Sequence, residues 1–234
     1  MKNIRYFLLF LVVGIYISTA WADDLEDGVE AWGKNDYATA ITKFRIAAEQ
    51  GNMLAQYDLG YMYLKGQGVA QDYIEALRWI KLAAEKGNFV AQGSLGVMYE
   101  NGQGVVQDYA EALRWYKLAA AQGSAEAQIN LGYIYYEGKG LAQNYTEALR
   151  WFRLAAEKGI TKAQHDVALM YAQGQGVVQD YMIAHMWFNL AAAKGESGAA
   201  KNRDIIAAKM TTQQVAEAQK LARECQARNF KKCD

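Results

Sequence analysis

The stretch Ala55–Gly87, AQYDLGYMYLKGQGVAQDYIEALRWIKLAAEKG, predicts two helices joined by a glycine loop. Leu59 and Tyr63 stand one helical turn apart and predict the apolar face of a first helix over residues 54–65. Because glycine tolerates a left-handed backbone, Gly66 and the glycine two residues later are suited to end this helix and reverse the chain. The stretch is therefore expected to form one antiparallel helical hairpin.

The second helix of the hairpin is expected to begin at Asp72, whose side chain can cap a helix N-terminus. Glu75 follows three residues later, which is the spacing of a capping box. Ala76, Trp79 and Ala83 then share one face and predict its buried side. A single hairpin cannot bury such a face by itself, so neighbouring hairpins are required.

The same pattern returns three more times at intervals of 36 residues. The tryptophan of the second helix recurs in register as Trp79, Trp115, Trp151 and Trp187. A period of this length is typical of proteins built from stacked helical pairs. The predicted repeats are 54–89, 90–125, 126–161 and 162–197.

The two ends of the repeat array differ from its middle. Residues 23–53 resemble a degenerate repeat in which a tighter turn replaces the glycine loop, and Trp32 is expected to supply the aromatic residue of its first helix. Residues 198–234 break the pattern and predict C-terminal capping helices with a tail. Thr211 and Gln214 are spaced for a capping box at the start of the last helix.

Residues 1–22 have the features of a secretory signal peptide. Lys2 and Arg5 precede the apolar stretch Tyr6–Ile17, and Ala20–Ala22 offers the small-x-small pattern of a cleavage site. An uncleaved membrane anchor is the alternative, although the apolar stretch is short for a span of about 20 residues. We expect an exported protein, periplasmic or extracellular, with no membrane span after signal cleavage.

The two cysteines, Cys225 and Cys233, lie close together near the C-terminus. In an oxidising compartment such a pair predicts a disulfide. Two free thiols in a frayed tail are the alternative. Because the bridge would close a short loop, its stabilisation through the unfolded chain is expected to be modest.

The unit A-x-x-x-L-G-x-x-Y-x-x-G-x-G-V-x-x-D-Y-x-x-A-x-x-W-x-x-x-A-A-x-x-G, read from Ala55 to Gly87, resembles the Sel-one-like repeat (SLR), a relative of the tetratricopeptide repeat. The fourth repeat departs from this pattern at two positions. Ala168 stands at the position that Gly96 holds in the second repeat, and Ile183 replaces the capping glutamate. The resemblance implies an all-α, right-handed α-solenoid of stacked antiparallel helix pairs with a concave face. It also implies an adaptor or binding protein, although fold alone does not fix function.

Positions that vary between repeats on one face of each first helix are the candidates for partner binding, because packing explains the constant positions. In related tetratricopeptide folds the corresponding stripe lines the concave groove. The candidate stripe comprises Tyr57, Tyr61, Leu64, Val97, Glu100, Ile129, Tyr133, Tyr136, His165 and Leu169. Aromatic and aliphatic side chains there would anchor a segment of another protein or a peptide. Packing against the next repeat is the alternative, above all for Tyr61 and Leu169.

The sequence offers few groups for catalysis, and no catalytic residue, metal site or cofactor is predicted. His165 and His185 lie on different helices and have no metal-ligand spacing. The loop at Gly66 links two helices rather than following a strand, unlike a dinucleotide fingerprint. With 25 basic and 25 acidic side chains, the charge balance gives no reason to expect a nucleic-acid partner.

An enzyme is the alternative function. Cysteine-rich relatives with a similar repeat are described as β-lactamase-like or penicillin-binding, and those relatives carry a cysteine pair in each repeat. No repeat of this sequence carries such a pair, so the resemblance supports this alternative weakly. We therefore predict a non-enzymatic protein that binds another protein.

Overall fold

The computed structural model describes residues 23–233, and every regular element within them is an α-helix. Helix α1 covers residues 23–33. The helices that follow are α2 (Tyr37–Glu49), α3 (Met53–Lys65), α4 (Tyr73–Glu85), α5 (Phe89–Asn101), α6 (Tyr109–Ala121), α7 (Ala125–Glu137), α8 (Tyr145–Ala156), α9 (Thr161–Gln173), α10 (Tyr181–Ala193), α11 (Ala199–Ala207) and α12 (Thr212–Ala227). The predicted signal peptide, residues 1–22, lies outside the described residues. Among the described helices, none has both the length and the apolar character of a membrane span.

The helices pack into two compact units, an N-terminal unit that ends at Trp115 and a C-terminal unit that starts at Tyr116. In the N-terminal unit, α3 packs against α2 and α4, and α4 packs against α5. In the C-terminal unit, α8 packs against α7 and α9, and α10 packs against α9, α11 and α12. Successive helices joined by short loops and packed on their neighbours confirm the predicted all-α fold of stacked helix pairs.

The first helix of each repeat begins and ends close to the predicted residues. Helix α3 starts one residue earlier than predicted because the Asn52 side chain accepts hydrogen bonds from the backbone N–H groups of Leu54 and Ala55, at 2.9 and 3.1 Å. Gly66 ends the helix with φ 68° and ψ 33°, and its N–H donates to the Met62 carbonyl. The predicted left-handed end is therefore confirmed.

The second glycine of each loop is required by a contact that the sequence pattern does not reveal. A Cβ atom on Gly104 would lie 2.2 Å from the Tyr73 carbonyl oxygen. A Cβ atom on Gly176 would lie 2.4 Å from the Tyr145 carbonyl carbon. These two loops thus lie directly against the start of the second helix of the preceding repeat, and any side chain there would separate the two repeats.

The capping box predicted at Asp72 and Glu75 forms only in part. The Asp72 carboxylate accepts two backbone N–H groups of the first turn, as expected. The Asp72 N–H, however, donates to the Tyr63 carbonyl at 3.0 Å and is not available to Glu75. The Glu75 carboxylate instead accepts from Arg78 and from the Trp79 indole N–H. The reciprocal bond fails because the loop returns the cap N–H to the preceding helix.

The structure of the C-terminal capping helices agrees more closely with the prediction from the sequence. Helix α11 begins at Ala199 and ends at Ala207, within the predicted capping region 198–234. At the start of α12, Thr211 and Gln214 form both bonds of the predicted capping box. The structure joins Cys225 and Cys233 in a disulfide, and both residues are buried in the core of the C-terminal unit.

Three of the four repeated tryptophans are buried, but Trp151 is not. Trp79 and Trp115 belong to the core of the N-terminal unit, and Trp187 is 0% exposed in the C-terminal unit. Trp151 is only half-buried, while the adjacent Phe152 is 2% exposed. The prediction of a buried Trp151 was wrong, and Phe152 does not explain the difference, because its equivalents Ile80, Tyr116 and Phe188 are buried beside buried tryptophans.

A small residue on the facing helix explains the position of Phe152. A Cβ atom on Gly132 would lie 2.4 Å from the Phe152 ring. Glycine in α7 therefore provides the space that the ring fills. The exposed side of Trp151 is covered instead by the Arg150 guanidinium, whose Cζ lies 4.3 Å from the indole ring centroid.

Lysine side chains connect the ends of second helices in successive repeats. Lys86 Nζ donates to the Gly51 carbonyl oxygen at 2.5 Å, and Lys194 Nζ donates to the Gly159 carbonyl oxygen at 3.1 Å. Each carbonyl lies just beyond the C-terminus of a helix, where a positive charge is favourable. These bonds place the loops before α3 and α5 side by side in the N-terminal unit.

Candidate functional site

Three of the predicted stripe residues meet at one pocket of the C-terminal unit. Tyr133 and Tyr136 extend from α7, and Leu169 extends from α9. This tyrosine pocket has a volume of about 140 Å³ and is lined by Tyr133, Tyr136, Phe152, Asp166, Leu169 and Met170. Its walls are aromatic and aliphatic, with one carboxylate among them. The structure thus brings together residues that the sequence places 36 positions apart.

Tyr133 is held in place by contacts on several sides. Its hydroxyl donates to Asp166 Oδ2 at 2.6 Å, and its ring meets the Phe152 ring edge-on at a centroid distance of 5.0 Å. Lys162 Nζ lies 4.8 Å from the ring centroid. Burial, and then the hydrogen bond to Asp166, raise the pKa of the Tyr133 hydroxyl above its ordinary value. The hydroxyl therefore stays protonated and keeps donating to the carboxylate.

Tyr136 is fixed in a similar way by the following repeat. Its hydroxyl donates to Gln175 Oε1 at 3.2 Å, and its ring meets the Tyr145 ring edge-on at 5.2 Å. Like Tyr133, it is half-buried against the core of the C-terminal unit. Both tyrosines thus pack against a neighbouring repeat and also present a surface to the pocket. At these two positions, packing against the next repeat and binding of a partner are therefore compatible interpretations.

His165 lies beside the pocket and orients its imidazole ring towards Asp166. Asn202 Nδ2 and His165 Nε2 are hydrogen-bonded at 3.0 Å. The other ring nitrogen of His165, Nδ1, is 3.8 Å from Asp166 Oδ1, which is longer than a hydrogen bond. The remaining stripe residue of α7, Ile129, is partly buried against the same core. His165 and Ile129 therefore border the pocket without lining it.

In the N-terminal unit the stripe forms a row of aromatic rings. Trp32 and Tyr61 stack with centroids 5.8 Å apart, and Tyr57 lies 6.1 Å beyond Tyr61. Lys65 Nζ lies 5.6 Å from the Tyr61 ring centroid. The sequence predicted an aromatic role for Trp32 in its own helix, but its contact with Tyr61 was missed. The other stripe residues of this unit, Leu64, Val97 and Glu100, are half-buried.

Asp58 is the corresponding carboxylate of the N-terminal unit, and it has no partner within residues 23–233. Its position in the first repeat is that of Asp166 in the fourth. Leu25 stands where the repeat register would place the tyrosine that donates to it. Burial raises the pKa of the Asp58 carboxyl to about 6.

Sequence reasoning missed Asp166 and Phe152 as pocket residues. The sixth residue of each first helix is polar in all four repeats, as Asp58, Ser94, Asn130 and Asp166. That regularity was a usable signal, because an apolar helix face rarely retains a polar residue without a partner.

A second, larger cleft lies on α8 of the same unit. It has a volume of about 530 Å³ and is lined by Thr146, Leu149, Arg150, Arg153, Leu154, Glu157, Gly176 and Val177. The sequence did not predict it. Arg150 already pairs with Glu147 at 2.9 Å and covers Trp151, so its charge is engaged within the protein.

The histidines and acidic residues do not assemble a metal centre in the part of the chain that the structure describes. His185 is 2% exposed, and burial, with the nearby Arg203, lowers the pKa of its imidazole. A neutral, buried histidine of this kind is a packing residue. It lies within the core of α10, as its single occurrence on that helix suggested.

Comparison with protein families gives four matches in the predicted register. The family model described as the Sel1 repeat matches residues 54–88, 90–124, 125–160 and 161–196. These matches cover more than half of the chain. A search of curated proteins found no match.

Two solved structures are similar in both sequence and fold. A Sel1 repeat protein from Oxalobacter formigenes is 39% identical with a TM-score of 0.70, over 75% of this chain and 72% of that one. The protein c5321, a protective antigen present in uropathogenic Escherichia coli strains that displays an SLR fold, is 27% identical with a TM-score of 0.56. That similarity covers 91% of this chain and 56% of the antigen.

Proposed function

Because the chain belongs to the Sel1 repeat family, whose repeats generally mediate protein interactions, we propose that it binds a segment of another protein on the first-helix stripe of its C-terminal unit. The observation that carries this proposal is the tyrosine pocket. Three of its residues, Tyr133, Tyr136 and Leu169, vary between repeats, so repeat packing alone does not require them.

The geometry of the pocket supports recognition of a side chain. A volume of about 140 Å³ is well below the roughly 300–1,000 Å³ of small-molecule and cofactor sites, and it is closer to the size of one amino-acid side chain. The hydrogen bonds of Tyr133 and Tyr136 hold both rings before any partner arrives. A preorganised aromatic surface loses little conformational entropy on binding, which favours affinity.

No observation favours the enzyme alternative. The tyrosine pocket contains a tyrosine–carboxylate pair, but burial keeps the Tyr133 hydroxyl protonated and unsuited to act as a nucleophile. The cysteine pair of the structure lies at the C-terminal end, away from the repeats in which cysteine-rich relatives carry theirs. Binding without chemistry is the proposal that fits the site.

The test uses random peptides displayed on phage and selected on the purified protein. Peptides that bind the stripe are expected to lose about tenfold or more in affinity with Tyr136→Ala or Leu169→Ala, the usual scale of an interface anchor. Tyr61→Ala is the matched control for Leu169→Ala, because the two residues hold the same repeat position in different units.

Each variant is checked for native helical content and unfolding temperature before binding is compared. Selected peptides that bind the Tyr136→Ala and Leu169→Ala proteins as tightly as the original protein would refute the site. Peptides that respond only to Tyr61→Ala would move the binding surface to the N-terminal unit.

A further inference from the structure

The Asp166 carboxylate gives the tyrosine pocket an acceptor that its own hydrogen bond does not saturate. Oδ2 accepts from the Tyr133 hydroxyl at 2.6 Å. Among residues 23–233, Oδ1 accepts no hydrogen bond, and His165 Nδ1 lies 3.8 Å from it. An ionised carboxylate can accept about four hydrogen bonds, so most of this capacity remains for a bound group. A purely apolar occupant would leave it unused.

The aromatic walls of the pocket favour a cation. The faces of tyrosine and phenylalanine rings carry negative charge density and attract ammonium and guanidinium groups. Lys162, within the same chain, already lies over one Tyr133 face with Nζ 4.8 Å from the centroid. The contact shows that this ring accepts a positive charge in its surroundings.

The charges around the pocket are predominantly negative. Asp166, Glu137 and Glu196 are all close enough to act on the Tyr133 hydroxyl, and all three disfavour a negative charge there. Lys162 is the cation at the rim, and the Glu137 carboxylate is paired with Lys139 at 2.8 Å. His165 faces Asp166, with Nδ1 3.8 Å from Oδ1. A positive group entering the pocket meets a carboxylate at its end and a favourable field around it.

We propose, on the basis of the proposed function, that the bound segment inserts a lysine or arginine side chain into the tyrosine pocket. The aliphatic part of that side chain lies against Tyr136, Leu169 and Met170, and its charged group reaches Asp166. Both residues combine an apolar stem with a cationic end, which is the distribution that the walls and the carboxylate present. The partner is therefore a protein with a basic residue exposed in an accessible segment.

The decisive probe is a pair of synthetic peptides. One is a phage-selected peptide that contains the inserted lysine. If the selected peptide contains arginine at that position, lysine replaces it. The other carries norleucine, which has the same unbranched carbon chain without the ammonium group. We expect the norleucine peptide to bind the purified protein about tenfold more weakly, as for the loss of one charge-assisted hydrogen bond. Added salt should narrow the difference.

Variants of the protein locate the effect. Asp166→Asn should weaken the lysine peptide about tenfold and leave the norleucine peptide nearly unchanged. Lys162→Met should strengthen the lysine peptide several-fold because it removes a like charge from the rim. Opposite responses to two changes on one helix face are not expected from a general loss of structure. If Asp166→Asn does not fold, the comparison of the lysine and norleucine peptides on the unaltered protein still tests whether the pocket binds a cationic side chain.

Two failures are distinguishable. If selected peptides need Tyr136 and Leu169 but contain no basic residue, or if the norleucine peptide binds equally well, the cationic occupant is wrong and the proposed function stands. If no selected peptide depends on Tyr136 or Leu169, the proposed site is wrong and the cationic occupant is wrong with it.

Discussion

At the scale of single residues, the repeat shows what happens when one member of a contact is missing. Asp166 and Asp58 hold the same position in the fourth and first repeats, and only Asp166 receives a tyrosine hydroxyl. The isolated carboxylate of Asp58 is disfavoured by burial, which raises its pKa to about 6. The same position thus stabilises one unit and costs stability in the other.

We predict that Asp58→Asn stabilises the protein at neutral pH by about 1–2 kcal/mol. The folded state holds the Asp58 proton more tightly than the unfolded chain, so ionisation penalises the folded state. This penalty is absent below the ordinary carboxyl pKa near 4, develops between pH 4 and 6, and is complete above pH 6. Urea unfolding of both proteins at pH 4 and pH 7.5 measures it. An equal gain at both pH values would contradict the role of ionisation.

Tryptophan burial provides a second prediction at this scale. Trp187→Ala should lower the free energy of unfolding by about 3–5 kcal/mol, because it empties a fully buried site. Trp151→Ala should cost about 1–2 kcal/mol, since the half-buried ring loses less apolar contact. Urea unfolding of the two variants compares the costs directly. Equal losses would show that the repeat position, rather than the burial of each ring, sets the contribution.

At the scale of helices, the start of each second helix depends on one side chain rather than two. Asp72 accepts from two backbone N–H groups, whereas Glu75 bonds only to side chains. Asp72→Ala is therefore expected to cost about 1 kcal/mol of stability, as for loss of an N-cap. Asp72→Asn should retain most of the stability because the amide oxygen is still an acceptor. Thermal unfolding of the two variants tests this.

Glu75→Ala is the companion to that experiment. Its exposed pairing with Arg78 is worth less than about 1 kcal/mol, so a smaller loss is expected than for Asp72→Ala. A capping box with both bonds would make the two losses similar. Comparable costs would therefore mean that Glu75 reaches the cap N–H in solution, in place of the Tyr63 carbonyl.

At the scale of the whole molecule, the sequence was most informative where one requirement recurs. The helix ends at Gly66 and its equivalents follow from glycine's freedom at positive φ, which is a local property. The all-α class follows from the 36-residue period. Contacts between repeats were harder to predict. Whether Tyr133 meets Asp166, or Tyr136 meets Gln175, depends on the register of one repeat against the next.

The candidate site, like the fold, could be predicted only in part from the sequence. The stripe identified Tyr133, Tyr136 and Leu169 because variability within one chain separates candidates for binding from residues needed for packing. It did not separate exposed from half-buried side chains, since every stripe residue proved to be partly buried. The polar partner Asp166 was missed because a carboxylate on a helix is ordinarily a solvated residue.

The disulfide supplies the last prediction, at the end of the repeat array. Within the described residues α12 packs mainly against α10, so it is more prone to fray than a helix packed between two others. The bridge between Cys225 and Cys233 fastens the last turn of α12 to the segment beyond it, and both sulfurs lie in the core. Closing so short a loop restricts the unfolded chain by on the order of 2 kcal/mol.

Reduction, or a double change of both cysteines to alanine, should therefore lower the stability of the C-terminal unit by about that amount. Amide hydrogen exchange should accelerate in α12 and much less in α2 and α3, which belong to the other unit. The unaltered protein under oxidising conditions is the control. Identical exchange of α12 in the oxidised and reduced proteins would show that packing of Ala218 and Ala222 holds the helix without the bridge.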